Sequence, residues 1–95
     1  MKTERPVLVT TEFKGVFFGY LGDESQDTDK SVVLYECRNA IYWDADTRGF
    51  LGLAENGPGS GCRIGATAPK IRLNGVTSIA ECTKEAVEKW KRWKS

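Results

Sequence analysis

The chain has 95 residues, 14 Lys and Arg against 13 Asp and Glu, a net charge of +1, and no histidine. A single domain of this size buries only about 60–65% of the surface its unfolded chain exposes, so the core is thin and a homo-oligomer is the expected source of further burial. The balanced charge gives no reason to expect a nucleic-acid or membrane partner. The missing histidine excludes Ser-His-Asp and Cys-His arrangements, so no enzymatic activity and no catalytic residue are expected.

Cys37, Cys62 and Cys82 are widely spaced and form no C-x-x-C pair. That pattern suits reduced thiols in a cytosol rather than a disulfide frame. Without histidine the three thiols make a poor zinc set, so no metal and no cofactor are expected. No run approaches the roughly 20 apolar residues of a membrane span, and Val7, Leu8 and Val9 are too few for a signal-peptide core. A cytoplasmic location is the expectation.

From Pro6 the pattern alternates, with Val7, Val9, Thr11 and Phe13 on one side and Leu8, Thr10, Glu12 and Lys14 on the other, which predicts a half-buried strand. Gly15 breaks it. Residues 16–21, VFFGYL, are apolar on both sides and predict a strand buried on both faces or strongly bent, with Gly19 as a place for a bulge. Residues 22–30 form an acidic loop whose Asp23, Asp27 and Asp29 miss the EF-hand spacing, so a solvated turn is expected. Residues 31–43 carry the longest strand pattern, with Val32, Leu34, Glu36 and Arg38 on one side and a kink near Asn39 and Ala40.

Residues 44–49, DADTRG, are turn formers and predict a reversal into a short apolar strand over residues 50–54. The loop ENGPGSG is too rich in Gly and Pro to be regular, and residues 63–69 predict at most a short edge segment ended by Pro69. Asn74-Gly75 between alternating runs predicts a two-residue hairpin, with Leu73 opposite Val76 and Ile71 opposite Ser78. Thr83 is a suitable N-cap for a final helix from Lys84 to about Lys94. Its apolar stripe is Ala86, Val87, Trp90 and Trp93, supported by Glu85–Lys89 and Glu88–Arg92 pairs. The fold class is mainly β (α+β): one domain over residues 1–95, a small antiparallel twisted sheet or barrel with one C-terminal helix.

Chemistry is concentrated in residues 41–64. The candidate ligand-binding residues are Tyr42, Trp43, Arg48, Phe50, Asn56, Gly57, Gly59 and Arg63. A nucleotide-type small molecule would stack on Tyr42, Trp43 or Phe50, since aromatic faces accept any base. Arg48 and Arg63 would meet phosphate, and backbone N–H groups of residues 56–61 would add specificity. The loop matches neither G-x-G-x-x-G nor G-x-x-x-x-G-K-[ST], so a flexible hairpin or rim loop is the simpler account of it. Neighbours on a strand face opposite ways, so Tyr42 and Trp43 also fit a core residue plus a subunit contact. In the tail KEAVEKWKRWKS, basic residues interleave with tryptophans. That suits a membrane-surface or nucleic-acid-binding helix, but a lid in which Trp90 and Trp93 close a barrel end is the simpler expectation. Asp44 and Asp46 read as turn residues rather than an acid–base pair.

The strings VTTEFKGVFFGYL, CRNAIYW, GFLGLAENGP, RIG and GVTSIAECTKEAVEKW resemble a family of short proteins encoded by tailed phages and prophages. The resemblance implies a phage origin and brings no activity or catalytic residues with it. More loosely, a G-x-x-x-G strand before an acidic loop, a long strand, an insertion and a closing hairpin through Asn74-Gly75 are similar to the Sm-like small barrels, which form RNA-binding rings. The chain departs from them in lacking an N-terminal helix, in its insertion, and in RNA-binding positions that find no match. The expected function is a non-enzymatic phage accessory protein of the host cytoplasm. It would antagonise antiviral defence by sequestering a nucleotide-derived signal as a homo-oligomer. A protein-binding inhibitor of a host defence component and an Sm-like RNA or DNA binder are the alternatives, with a nucleotide hydrolase built on Asp44 or Asp46 behind them.

Overall fold

The computed structural model describes residues 5–12, 15–22, 30–43, 45–59 and 61–93. Phe13, Lys14, Asp23, Asp27, Asp29, Asp44 and Lys94, together with the side chain of Asp46, lie outside the described residues, and so do the expectations placed on them. The elements are β1 (Pro6–Thr11), β2 (Gly15–Leu21), β3 (Ser31–Tyr42), a 3-10 turn (Ala45–Thr47), α1 (Gly49–Glu55), β4 (Arg63–Ile64), β5 (Ala68–Asn74), β6 (Val76–Glu81) and α2 (Lys84–Arg92). The fold is a six-stranded antiparallel sheet with a C-terminal helix.

β3 organises the sheet. One of its edges pairs with β2, and the other carries β5 along its first half and β4 along its second. β2 pairs with β1, and β1 pairs with β6. The expected hairpin at Asn74-Gly75 is therefore not formed: Ile71 pairs with Leu34 of β3, whereas Ser78 pairs with Thr10 of β1. β5 and β6 are successive lengths of chain on opposite edges of the sheet, and the corner between them brings those edges together. At that corner Gly75 has φ 69°, a left-handed conformation that costs glycine little. Its carbonyl accepts from Glu12 N at 2.9 Å, and Val76 N donates to Lys30 O at 2.9 Å. Turn propensity located the bend correctly, but closing the sheet buries more surface than an isolated two-stranded ribbon could.

This closure corrects a second expectation. Val7, Leu8 and Val9 are all fully buried, so β1 is covered on both faces rather than half-buried. Val7 and Val9 pack with Leu21, Val32, Leu34 and Leu73. Leu8 belongs to a second core with Phe18, Leu53, Ala86 and Trp90, on the side where the helices lie.

The strand irregularity falls opposite Gly19, but the extra residue belongs to β3. Phe18 pairs with Arg38 and Tyr20 with Tyr35, so Glu36 and Cys37 together face Gly19. Glu36 takes φ 52°, and the bulge exchanges the faces of β3 beyond it. Val32, Leu34 and then Cys37 share the first core, while Tyr35 and Ala40 belong to the second.

Residues 50–54 are not a strand. Phe50, Leu53 and Ala54 have the i, i+3, i+4 spacing of a helix, and Leu53 and Ala54 are buried in α1. The end of α1 meets the start of α2. Thr83 N donates to Ala54 O at 3.0 Å, and Thr83 Oγ1 donates to Glu55 O at 2.6 Å. The same hydroxyl accepts from Ala86 N at 3.1 Å, as expected of the N-cap. Trp90 is fully buried, stacked on Phe18 at 5.0 Å between ring centres with 5° between planes, and its Nε1 donates to Leu53 O at 3.1 Å.

Candidate functional site

The ends of β1 and β3 and the starts of β2, β6 and α1 surround a cleft of about 540 Å³. Trp43 and Phe50 line it with Val16, Thr10, Thr77 and Ser78. The polar side is set by a second bulge. Thr10 pairs with Ser78 and Thr11 with Val76, which leaves Thr77 as the extra residue of β6. Both hydroxyls of that step reach Thr10 Oγ1, Thr77 Oγ1 at 2.7 Å and Ser78 Oγ within hydrogen-bond distance. The cleft thus offers two aromatic rings, an apolar wall and the hydroxyls of Thr10, Thr11, Thr77 and Ser78, which can each donate or accept. Among the described residues no charged side chain lines it. It suits a planar, uncharged group with hydrogen-bonding edges.

The eight sequence candidates go to separate places. Trp43 and Phe50 share the cleft. Tyr42, 53% exposed, is a ladder partner of Arg63 where β3 meets β4, and neither lines the cleft. Arg48 is the left-handed residue that starts α1 (φ 69°), and its side chain makes no cap hydrogen bond. Asn56 ends α1 through its backbone N–H to Gly52 O at 2.8 Å. Gly57 is buried against α2: with φ 83°, a Cβ there would stand 2.8 Å from Lys89 Cβ and 3.1 Å from Ala86 O. Gly59 borders a different groove, with Lys89, Arg92 and Trp93. The hydroxyls of Thr10, Thr77 and Ser78 were not among the candidates. The available signal was the pair of hydroxyl doublets, Thr10-Thr11 and Thr77-Ser78, in strands otherwise rich in apolar residues.

Arg38 was missed as well. It is 6% exposed, and burial lowers its pKa from the usual arginine value. Its Nη1 donates to Trp90 O at 2.8 Å and Trp93 O at 2.6 Å, and Nε donates to Gly65 O at 3.0 Å. It therefore supplies the donors that the end of α2 lacks.

The three cysteines are free. Burial pushes the Cys37 thiol up to about 12, and burial together with the Glu81 charge pushes Cys82 up to about 12. Neither is a ready nucleophile, because the thiolate is the reactive form. Among the described residues no group of three or more His, Cys, Asp or Glu could hold a metal ion. Among them, too, no helix is long and apolar enough to cross a membrane.

One family match spans residues 4–90, which take in every cleft residue. The chain belongs to DUF6948, a domain of unknown function. No curated protein and no solved structure matches the chain significantly. The DUF6948 chain thus takes its functional reading from the chemistry of its own surface.

Proposed function

We propose that this DUF6948 protein is a non-catalytic binding protein. It receives the base of a nucleotide-derived signalling molecule against Trp43 and Phe50, and so withdraws that signal from host antiviral defence. The observation that carries the reading is the convergence of two aromatic rings and four hydroxyls on one cleft whose described lining carries no charge. Stacking supplies affinity for any base, and the hydroxyls can read its polar edge. The phage setting rests on the resemblance of the sequence to short phage and prophage proteins. In that setting the protein acts stoichiometrically in the host cytoplasm, as a homo-oligomer.

The test is native mass spectrometry of protein purified from cells with an active nucleotide-signalling defence, followed by heat release of the bound material. A discrete oligomer that releases intact nucleotide is expected. Recovery of a cleaved product would sink the binding-only reading.

A second reading has its own support. Ile41 is 58% exposed, Tyr42 53% and Leu51 61%, an unusual display for one short stretch of a small domain. These side chains suit a protein partner, such as a host defence component that the protein inhibits. That reading expects an oligomer without nucleotide and a co-purifying protein that Tyr42→Ser or Leu51→Ser releases.

A further inference from the structure

Two sequence motifs take no part in the Trp43 cleft, the glycine-rich loop and the tail of α2, and they meet each other. Pro58 and Gly59 from the loop and Lys89, Arg92 and Trp93 from the helix border a groove of about 430 Å³. Pro58 is fully buried and Trp93 partly so, which gives the groove apolar, flat components. Lys89 and Arg92 are three residues apart on one helix and so lie on one face. At Gly59 a Cβ would find nothing within 4 Å, so its backbone is open to close approach.

A helix C-terminus ordinarily carries partial negative charge and disfavours anions. Here that charge is countered from beneath: the carbonyls of Trp90 and Trp93 accept from the buried Arg38 guanidinium. The last turn adds Lys89, Lys91 and Arg92. The carboxylates of the same helix are Glu85, 4.0 Å from Lys89, and Glu88. An exposed pair at that distance is worth little and yields easily to a better anion. A net charge of only +1 for the whole chain makes this positive end a local feature.

We propose that this groove binds single-stranded nucleic acid, with a base stacked on Trp93 and the adjoining phosphate held by Lys89 and Arg92. Tryptophan offers a face to any base, and the planar guanidinium matches phosphate in a two-bond geometry. An acidic peptide would use the two cations but has no need of the indole face. The groove shares no lining residue with the Trp43 cleft, so the inference stands apart from the proposed function.

The test is anisotropy of a short fluorescein-labelled oligo(dT) over a salt series. Removing both cations, in Lys89→Ala with Arg92→Ala, is expected to lower the slope of log affinity against log salt by about 0.7, the value for one neutralised phosphate on a single strand. Trp93→Leu keeps an apolar side chain but no ring, and is expected to weaken binding roughly 5- to 150-fold. Arg72→Ala removes an exposed cation on β5 and is expected to keep both slope and affinity. Four outcomes would overturn the assignment: no binding at low salt, equal losses with Arg72→Ala, affinity indifferent to Trp93→Leu in protein with an unchanged circular dichroism spectrum, or competition by oligo-glutamate as strong as by unlabelled oligo(dT). AMP bound as tightly as the oligonucleotide would also overturn it, because the groove would then be a mononucleotide site.

Discussion

Arg38 Nη1 lies 2.8 Å from the carbonyl oxygen of Trp90, which ties the middle of the longest strand to the last turn of the last helix. The same guanidinium serves Trp93 O and Gly65 O, so three backbone carbonyls depend on one side chain. Arg38→Met removes the donors while keeping the stem and is expected to cost about 1–3 kcal/mol for a carbonyl left buried without a donor. Arg38→Lys restores only part of this, since a single ammonium cannot reproduce the planar fork. Urea midpoints followed by circular dichroism measure both. A loss below about 1 kcal/mol for Arg38→Met would mean that water serves these carbonyls equally well.

Gly57 and Gly59 flank a proline in one loop but answer to different constraints. Gly57 has φ 83° and faces α2 too closely for a Cβ, whereas Gly59 has nothing within 4 Å of that position. Gly57→Ala is expected to cost about 2–3 kcal/mol from backbone strain and displacement of α2. Gly59→Ala should stay within about 0.5 kcal/mol. Thermal melts of the two variants decide it. Equal melting would show that the loop adjusts, and that its contact with α2 is incidental.

The parts legible in the sequence were those set by local rules. Thr83 and the stripe through Trp90 specify α2 almost completely, because capping and helical periodicity need no partner. The doubly apolar β2 was equally readable. Non-local choices were not. Asn74-Gly75 marks a bend, yet whether the flanking strands pair with each other depends on β1 and β3 offering better edges. Residues 50–54 carry an apolar run short enough to fit either period, and the cover that α1 provides for Trp90 decided for helix. Arg38 falls on the same side as Val32 and Leu34 in the sequence alternation, and only the bulge at Glu36 moves it to the helix side. The Trp43 cleft depends on a second bulge, at Thr77, which no single-strand pattern announces.

Cys37 and Cys82 give the protein an alkaline limit. Both thiols are pushed up to about 12 from an ordinary value of 9.0. Between those values the unfolded chain releases protons that the folded chain holds, so stability falls as pH rises. Their contribution is fully present below about pH 9 and is lost progressively toward pH 12. Urea midpoints across that window should fall less steeply in Cys82→Ala than in the parent chain. Identical slopes would show that Cys82 contributes nothing to the alkaline loss. At pH 8 the same burial predicts slow alkylation of both thiols in the folded protein and rapid alkylation in urea.

The cleft itself can be divided by chemistry. If a base stacks against Trp43, Trp43→Ala should weaken binding of a purine mononucleotide by about 1–3 kcal/mol, the usual worth of one stacked base. Thr10→Val removes the hydroxyl that both Thr77 and Ser78 reach, and changes the shape of the wall very little. It should cost about 1 kcal/mol and should blur the preference between adenine and guanine, because those bases differ in the donors and acceptors that a hydroxyl would read. Isothermal titration with AMP and GMP against the parent chain and the two variants separates the contributions. Loss of affinity in Trp43→Ala with unchanged base preference, and loss of preference in Thr10→Val with most affinity kept, is the pattern expected of a stacking site with a polar reader. Binding indifferent to Trp43→Ala would place the base elsewhere and leave the aromatic pair as part of the contact surface around Tyr42 and Leu51.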